Sequence, residues 1–355
     1  MKILEEIINL DPYSLKKTIK TEIFTKKINF LTNHHYINSP LYRKIVKGLK
    51  YNTKKTNNFE DLPFLPVRLF KKFNLISIKK NKILKTLVSS GTSGDNLSKI
   101  YLDKNNASNQ IRVLQRIVNK IIGKKRIPML IIDSMNTNKD RSKFNASKAA
   151  INGFSIFANE IYYALKINGE LDYDLINKFL KKNSNQKFLI FGFTSNIYVN
   201  LIKKLSLRKI KKKVLDKAIL IHGGGWKKLE KMKINNKQFK TILDKKLKIK
   251  NVFNYYGLVE QTGSIFFQCK CGYFITSIFS DILIRDENFN IVQAGKKGFL
   301  QLFSLLPTSY PGHNILTEDI GEIIEDKKCK CFGYGKRFLV HGRAPEAELR
   351  GCSNI

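Results

Sequence analysis

The stretch Ala218-Ile219-Leu220-Ile221-His222-Gly223-Gly224-Gly225-Trp226 decides the fold class. Its four successive apolar residues do not alternate with polar ones, which predicts a strand buried on both faces. The glycines at its end allow either a tight turn or a flat ring lying on the backbone. Working outward, Val252–Tyr255 reads as a further strand, with a helix over Gln238–Leu247 between the two. Upstream, Lys187–Phe193 and Ile127–Ile132 are apolar runs of the same kind. Helices are expected at about 104–122, over Asp172–Leu180, and where Ile197, Leu201 and Leu205 recur at helical spacing. Ile83–Val88 reads as a strand entering a Ser/Gly loop. Strand–loop–helix repetition of this sort predicts an α/β fold with a mostly parallel sheet covered by helices.

Outside that region the pattern changes. Residues 1–60 read as a helical segment, with Leu4, Ile7, Ile8 and then Phe24, Ile28, Leu31 at helical spacing. Leu62-Pro63-Phe64-Leu65-Pro66-Val67 is no helix interior, because two prolines remove donors and fix φ. Short strands at Ser264–Phe279, Ile282–Arg285, Gly298–Phe303 and Glu322–Glu325 are split by turn residues and predict an antiparallel β portion. The expected organisation is a helical segment 1–60, an α/β portion 61–256, an antiparallel portion 257–343, and a tail 344–355 carrying Cys352.

The chain has 355 residues, 43% hydrophobic and 26% charged, which suits a folded protein with a large core. Lys+Arg number 65 against 28 Asp+Glu, a net charge of +37. Such a charge invites a nucleic-acid reading. Against it, only 11 of the basic residues are Arg, the residue that reads phosphate and guanine bidentately. Residues 251–355 hold 11 basic and 11 acidic residues, so the whole excess lies in 1–250. The N-terminus shows no signal-peptide core, no apolar run is long enough for a membrane span, and five cysteines make no disulfide scaffold. A reducing cytoplasm is the expected setting.

Several loops carry chemistry. Ser89-Ser90-Gly91-Thr92-Ser93-Gly94 offers small residues and hydroxyls that let a backbone approach phosphate, although no Gly-Lys pair is followed by Ser or Thr as a Walker loop requires. Asn254 through Gly263 contains Tyr255, Tyr256, Gly257 and the carboxylate Glu260; beside phosphates such a carboxylate would hold Mg²⁺. Equally, the position suits an acid favoured by a helix start. Pro307 through His313 precedes Thr317-Glu318-Asp319, where Asp319 is placed to accept ribose hydroxyls or simply to lie in a surface turn. Cys269, Cys271, Cys329 and Cys331 form two Cys-Lys-Cys pairs in turn regions, a set that suits a tetrahedral zinc site or else four unrelated thiols. Cys352 is a lone thiol near the end, with Arg350 beside it to favour the thiolate.

In order, Ser-Ser-Gly-Thr-Ser-Gly, Tyr-Gly-Leu-Val-Glu, Thr-Glu-Asp and Gly-Arg resemble the adenylate-forming (acyl-CoA synthetase and luciferase) superfamily. Leu62 through Lys71, Ser90 through Gly94, Pro307 through Gly321, and Gly342-Arg343 through Cys352 are similar to the acyl-protein synthetase (LuxE-type) family, whose best-known members are long-chain-fatty-acid–protein ligases. The resemblance runs from about residue 60 to the end. It implies the large domain of adenylate-forming enzymes without their C-terminal lid, and two half-reactions. A carboxylate attacks the α-phosphate of ATP, giving acyl-adenylate and pyrophosphate, and a thiolate then takes the acyl group as a thioester. It also implies roles: Ser89 to Gly94 for the β/γ-phosphates, Gly223, Gly224, Gly225, Tyr255, Tyr256 and Gly257 for adenine, Glu260 for Mg²⁺, Asp319 for ribose, Arg343 for ribose or phosphate, and Cys352 as acyl acceptor. The lid's adenylation lysine has no clear replacement, Lys99 being the nearest; His313 would face the carboxylate or stabilise its loop. The implied reactants are a carboxylic acid and an acyl-accepting protein, a reductase or a carrier. Two other readings compete. One is a ligase for another small or aryl acid with CoA or a carrier thiol as acceptor. The other is a basic, zinc-containing nucleic-acid-binding protein.

Overall fold

A computed structural model describes residues 2–52, 57–89, 97–135, 146–206, 209–210, 212–224, 234–325 and 328–344. They fall into two units, Met1–Ile117 with Gly257–Ile355, and Val118–Tyr256. The first begins with helices α1 (Lys2–Ile7), α2 (Lys17–Asn38) and α3 (Pro40–Gly48), strand β1 (Leu65–Pro66) and the turn α4 (Leu69–Lys72). The hairpin β2 (Lys85–Val88) and β3 (Lys99–Leu102) follows, then α5 (Lys104–Ile122). The second unit contains β4 (Ile127–Ser134), α6 (Ala146–Ser155), β5 (Ala158–Leu165), α7 (Tyr173–Lys182), β6 (Phe188–Phe193), a π-helix Ile197–Lys204, β7 (Ala218–Gly223), α8 (Asn236–Leu247) and β8 (Asn251–Tyr256). The chain re-enters the first unit with β9 (Phe266–Phe267), β10 (Phe274–Ile275), β11 (Ser280–Arg285), β12 (Lys297–Ser304), β13 (Asn314–Glu325) and β14 (Arg337–Arg343).

In the second unit five strands pair in parallel in the order β5-β4-β6-β7-β8. The apolar runs lie centrally: β7 is buried at every residue and β6 at all but its last. Side chains from one face of the sheet join one core with the apolar stripes of α7 and α8, among them Phe179, Phe188, Phe239 and Leu243. Local chemistry starts both helices. The Asp172 carboxylate accepts the Leu175 N–H at 3.0 Å, and Asn235 with Gln238 forms a reciprocal capping box. Strand β5 at the edge and α6 carry no long apolar run, and the sequence does not announce them. Among the described residues no helix is long and apolar enough to cross a membrane.

The first unit is built on an antiparallel sheet, β10-β14-β13-β12-β11, with β1 added in parallel to β13. The expected short strand Glu322–Glu325 is the end of a twelve-residue strand that also contains Thr317-Glu318-Asp319. Register shifts beside Ile320/Gly321 bend it there. The Pro-rich segment becomes a sheet edge, the position where a missing N–H is tolerated. It is fastened by a buried polar chain. Arg285 donates to the Gln301 side-chain oxygen, Gln301 Nε2 donates to Asn314 Oδ1 at 2.6 Å, and Asn314 Nδ2 donates to the Leu62 and Pro63 carbonyls at 3.1 and 3.2 Å. Replacing Asn314 by Ala strands three buried partners, so Asn314→Ala is expected to lower unfolding free energy by about 2–4 kcal/mol in urea titrations. A loss below about 0.5 kcal/mol would show that this chain does not hold the edge.

Candidate active site

Glu260 sits on a single 3₁₀ turn, Val259–Gln261, two residues beyond Gly257. The turn is held from three sides. The Tyr310 hydroxyl donates to the Glu260 carbonyl at 2.9 Å, while Gln261 Nε2 donates to the carbonyls of Leu302 and Gly312 at 3.0 and 2.8 Å. Gly312 is required at its position: a Cβ there would lie 2.3 Å from the Tyr310 ring and 2.6 Å from the Glu260 carbonyl oxygen. The loop Pro307–His313 is thus the seat of Glu260.

The Glu260 side chain is 4% exposed. Burial pushes its carboxyl above the ordinary carboxylate range, and the Ser98 hydroxyl and the charges of Lys71 and Arg343 pull it partly back. Ser98 closes the neck of the Ser/Gly loop: its N–H donates to Ser89 Oγ at 3.0 Å, and the Ser89 N–H donates to its carbonyl at 3.0 Å. Ser89 is therefore committed to the loop's neck. Ser90, Gly91, Thr92, Ser93 and Gly94 lie outside the described residues, as do Gly225 and Cys352.

Asp319 and Arg343 are direct cross-strand partners on β13 and β14. Asp319 is half-buried, with its N–H donating to Thr317 Oγ1 at 3.1 Å, and Arg343 is exposed. Next to Asp319, Glu318 pairs with Arg68 of the Pro-rich segment. The first unit therefore brings together the loop neck Ser89/Ser98, Glu260, and the Asp319–Arg343 pair. Ser98, Lys71 and Tyr310 complete this neighbourhood, and sequence reasoning assigned them no role. Position was their only signal: Ser98 follows the Ser/Gly loop, and Lys71 and Tyr310 lie inside stretches already singled out.

His313 is placed differently. Its ring is 1% exposed, Nε2 is 3.0 Å from Thr32 Oγ1 and 3.5 Å from Tyr42 Oη, and it stacks on His35 at 4.9 Å. Burial, aided by nearby His34, lowers its pKa to about 3, so the ring is neutral. These contacts are to α2 and α3, and they hold the Pro307–His313 loop from behind. Lys99 is exposed on β3.

In the second unit a flat ring does lie on the glycine end of β7, and that ring is Tyr255. A Cβ on Gly223 would be 2.5 Å from it, while Phe154 packs on the same ring at 5.1 Å. Gly224 is left-handed, φ +75°, with a Cβ position 2.9 Å from Phe193. Tyr256 ends β8 and is half-buried. In the first unit, Gly257 would carry a Cβ 3.1 Å from Ile265.

The four paired cysteines form a cluster in the first unit. The sulfurs of Cys269, Cys271 and Cys331 all lie within 4.8 Å of one another, and the Cys331 N–H donates to Cys329 Sγ at 3.4 Å.

Solved structures share the fold. An open conformation of 2-hydroxyisobutyryl-CoA ligase in complex with 2-HIB-AMP and CoA matches with a TM-score of 0.72 and 10% identity, over 94% of this chain and 71% of that one. The thioesterification-state structure of that ligase matches with a TM-score of 0.70 and 11% identity, over 94% and 70%. No curated protein sequence matches the chain. The family model described as acyl-protein synthetase, LuxE, matches residues 1–355, and the chain belongs to that family. It is an ATP-dependent, acyl-adenylate-forming ligase, which decides against the nucleic-acid reading.

Proposed function

We propose that the protein activates a fatty acid as its acyl-adenylate and then accepts the acyl group on Cys352 for delivery to a protein partner, a reductase or carrier. The observation that carries this reading is the convergence of the buried Glu260 carboxyl with the neck of the Ser/Gly loop and with the Arg343 charge. An anionic carboxylate approaching a polyphosphate is opposed by charge repulsion. Fixed cations and donors overcome that repulsion by position and by preorganised electrostatics.

A nearly buried carboxyl with only partial compensation from Lys71 and Arg343 fits a hard cation. Glu260 is the residue that would hold Mg²⁺, which when bound neutralises phosphate charge. The chain's own contributions are separate. The Ser/Gly loop whose neck Ser89 and Ser98 close is the segment that would take the phosphates. Asp319, paired with Arg343, accepts the ribose hydroxyls. Arg343, exposed at the end of β14, supplies a positive charge beside them. In the second half-reaction the Cys352 thiolate attacks the acyl carbonyl, AMP leaves with the electron pair of the broken C–O bond, and a thioester remains.

The test separates the half-reactions. Carboxylate-dependent ATP–pyrophosphate exchange is expected across a panel of fatty acids. Cys352→Ser is expected to retain exchange while losing all protein-bound acyl label. Label that persists in Cys352→Ser removes the acceptor assignment. No exchange with any acid removes the activation step. Label moving to free CoA instead of the protein favours the CoA-ligase reading.

A further inference from the structure

The two Cys-Lys-Cys segments are matching turns at one end of the antiparallel sheet. Cys269 and Cys271 lie between β9 and β10, and Cys329 and Cys331 between β13 and β14. Because β10 pairs with β14, with Phe274 opposite Phe338, the turns are neighbours. Each is closed by its own backbone bonds: the Cys269 N–H donates to the Tyr273 carbonyl at 2.8 Å, and the Gly333 N–H donates to the Cys329 carbonyl at 3.0 Å.

Four thiolates around a tetrahedral zinc, each about 2.3 Å from the ion, stand about 3.8 Å from one another. Cys271 Sγ and Cys331 Sγ are 3.9 Å apart, Cys269 Sγ lies within 4.8 Å of both, and Cys329, whose Sγ accepts the Cys331 N–H at 3.4 Å, shares a buried cluster with Cys269 and has to close on the other three as the metal binds. The set is half in the core and half at the surface: Cys269 and Cys329 are buried, Cys271 and Cys331 exposed. A sequence reading stops at this donor set. The structure adds what the set is packed against, which lies more than two hundred residues earlier in the chain.

Tyr13 is that neighbour. Its ring is buried in one cluster with Cys269, Cys329 and Ile275, and meets Phe332, next to Cys331, at 4.9 Å. Its carbonyl accepts the Tyr334 N–H at 2.8 Å, and the Pro12 carbonyl accepts the Ile278 N–H at 2.8 Å. A Cβ on Gly333 would be 2.5 Å from the Tyr13 carbonyl oxygen, so the segment lies directly on the second cysteine turn. The receiving residues Phe332, Gly333 and Tyr334 lie within or just beyond the second cysteine turn, and Ile278 follows β10, the strand that leaves the first.

We propose that Cys269, Cys271, Cys329 and Cys331 hold one zinc ion as four thiolates, and that this ion fastens the Pro12–Tyr13 segment to the antiparallel sheet. Four protein ligands leave no position for substrate, so the site is structural. Zinc joins the two turns into one rigid platform, and the platform receives the segment's two carbonyls and its aromatic ring. The four thiol protons are released to solvent as the zinc–sulfur bonds form. The inference is independent of the acyl-transfer reading and is tested without catalysis.

The full-length protein, purified under reductant and offered zinc, is assayed for metal and for hydrogen exchange before and after chelation. About one zinc per chain is expected. After chelation, the Tyr334 and Ile278 amides are expected to exchange at least about ten-fold faster while β6 and β7 amides keep their protection. Cobalt replacing zinc should give the visible spectrum of a four-thiolate tetrahedral site, and Cys271→Ser, at an exposed ligand, should lose that spectrum. If that variant does not fold, chelation of the wild type still reads both halves of the proposal. Folded protein that takes up no zinc, a preference for iron, or a Cys271–Cys331 disulfide persisting in reductant overturns the site. Zinc release without faster exchange at Tyr334 and Ile278 overturns the fastening.

Discussion

Glu260→Gln is expected to lower the rate of carboxylate-dependent ATP–pyrophosphate exchange by about 10²–10³-fold, the range seen when one preorganised electrostatic contact is lost. Glutamine has the same shape, and the Tyr310 hydroxyl's bond to the backbone carbonyl is untouched. The loss would therefore report the charge. Stability should move the other way. Burial raises the folded-state pKa of Glu260 above the ordinary 4.5, so the folded protein binds this proton more tightly than the unfolded chain. Its contribution is favourable at low pH and is lost as pH rises through the folded pKa. The Gln variant, with no proton to lose, should equal or exceed the wild type in thermal stability at pH 8. A variant that exchanges pyrophosphate within three-fold of the wild type would take Glu260 out of the reaction. One that is inactive because it melts at a much lower temperature would show that the charge serves the fold.

The second large effect concerns acid. His35 and His313 are fully buried against each other, and both are held neutral. Burial lowers His35 well below the usual 6.5, helped by the charges His313, His34 and Lys27 would place nearby, and lowers His313 to about 3. Both nitrogens of His35 are engaged, Nδ1 with Ser77 Oγ at 2.8 Å and Nε2 with the Pro307 carbonyl at 3.2 Å. In the unfolded chain each ring takes up a proton below about pH 6.5. The stabilising contribution of the neutral rings is therefore complete above that pH and falls as pH drops toward the folded values. By pH 5 each ring should cost about 2 kcal/mol relative to pH 7. Urea unfolding of the wild type and of His313→Gln at the two pH values measures it. The variant should show the shallower loss, and equal slopes would mean that His313 is protonated in place. Because these rings brace the Pro307–His313 loop that seats Glu260, activity is expected to fall over the same acid range.

Much of this architecture is visible in local pattern. The helix expected at about 104–122 is Lys104–Ile122, and Lys187–Phe193 and Ala218–Ile221 lie in the two central parallel strands. Runs buried on both faces have no alternation to misread, and a nineteen-residue amphipathic helix repeats its stripe many times. Strand β5 escapes notice because as an edge it alternates only loosely. Thr317–Asp319 looks like a turn because Glu and Asp interrupt the apolar run, yet the ladder with β12 and β14 carries it as strand. Glu260, Asp319 and the four paired cysteines stand out by residue type and spacing and Arg343 by family resemblance, so these residues are picked out in the sequence before their positions are known.

What the sequence alone determined is the inventory: a helical start, buried parallel strands, an antiparallel portion, a Ser/Gly loop, a lone carboxylate and two thiol pairs. What only the tertiary structure decided is which of these meet. Tyr13 reaches Cys269, Thr32 reaches His313 and Arg68 reaches Glu318 across more than two hundred residues of chain. Periodicity and turn chemistry act over a few residues and cannot specify such pairings. Sheet register and the closing of the core fix them, and they placed Tyr255 on Gly223, His313 against α2 and α3 and Glu260 near the neck of the Ser/Gly loop.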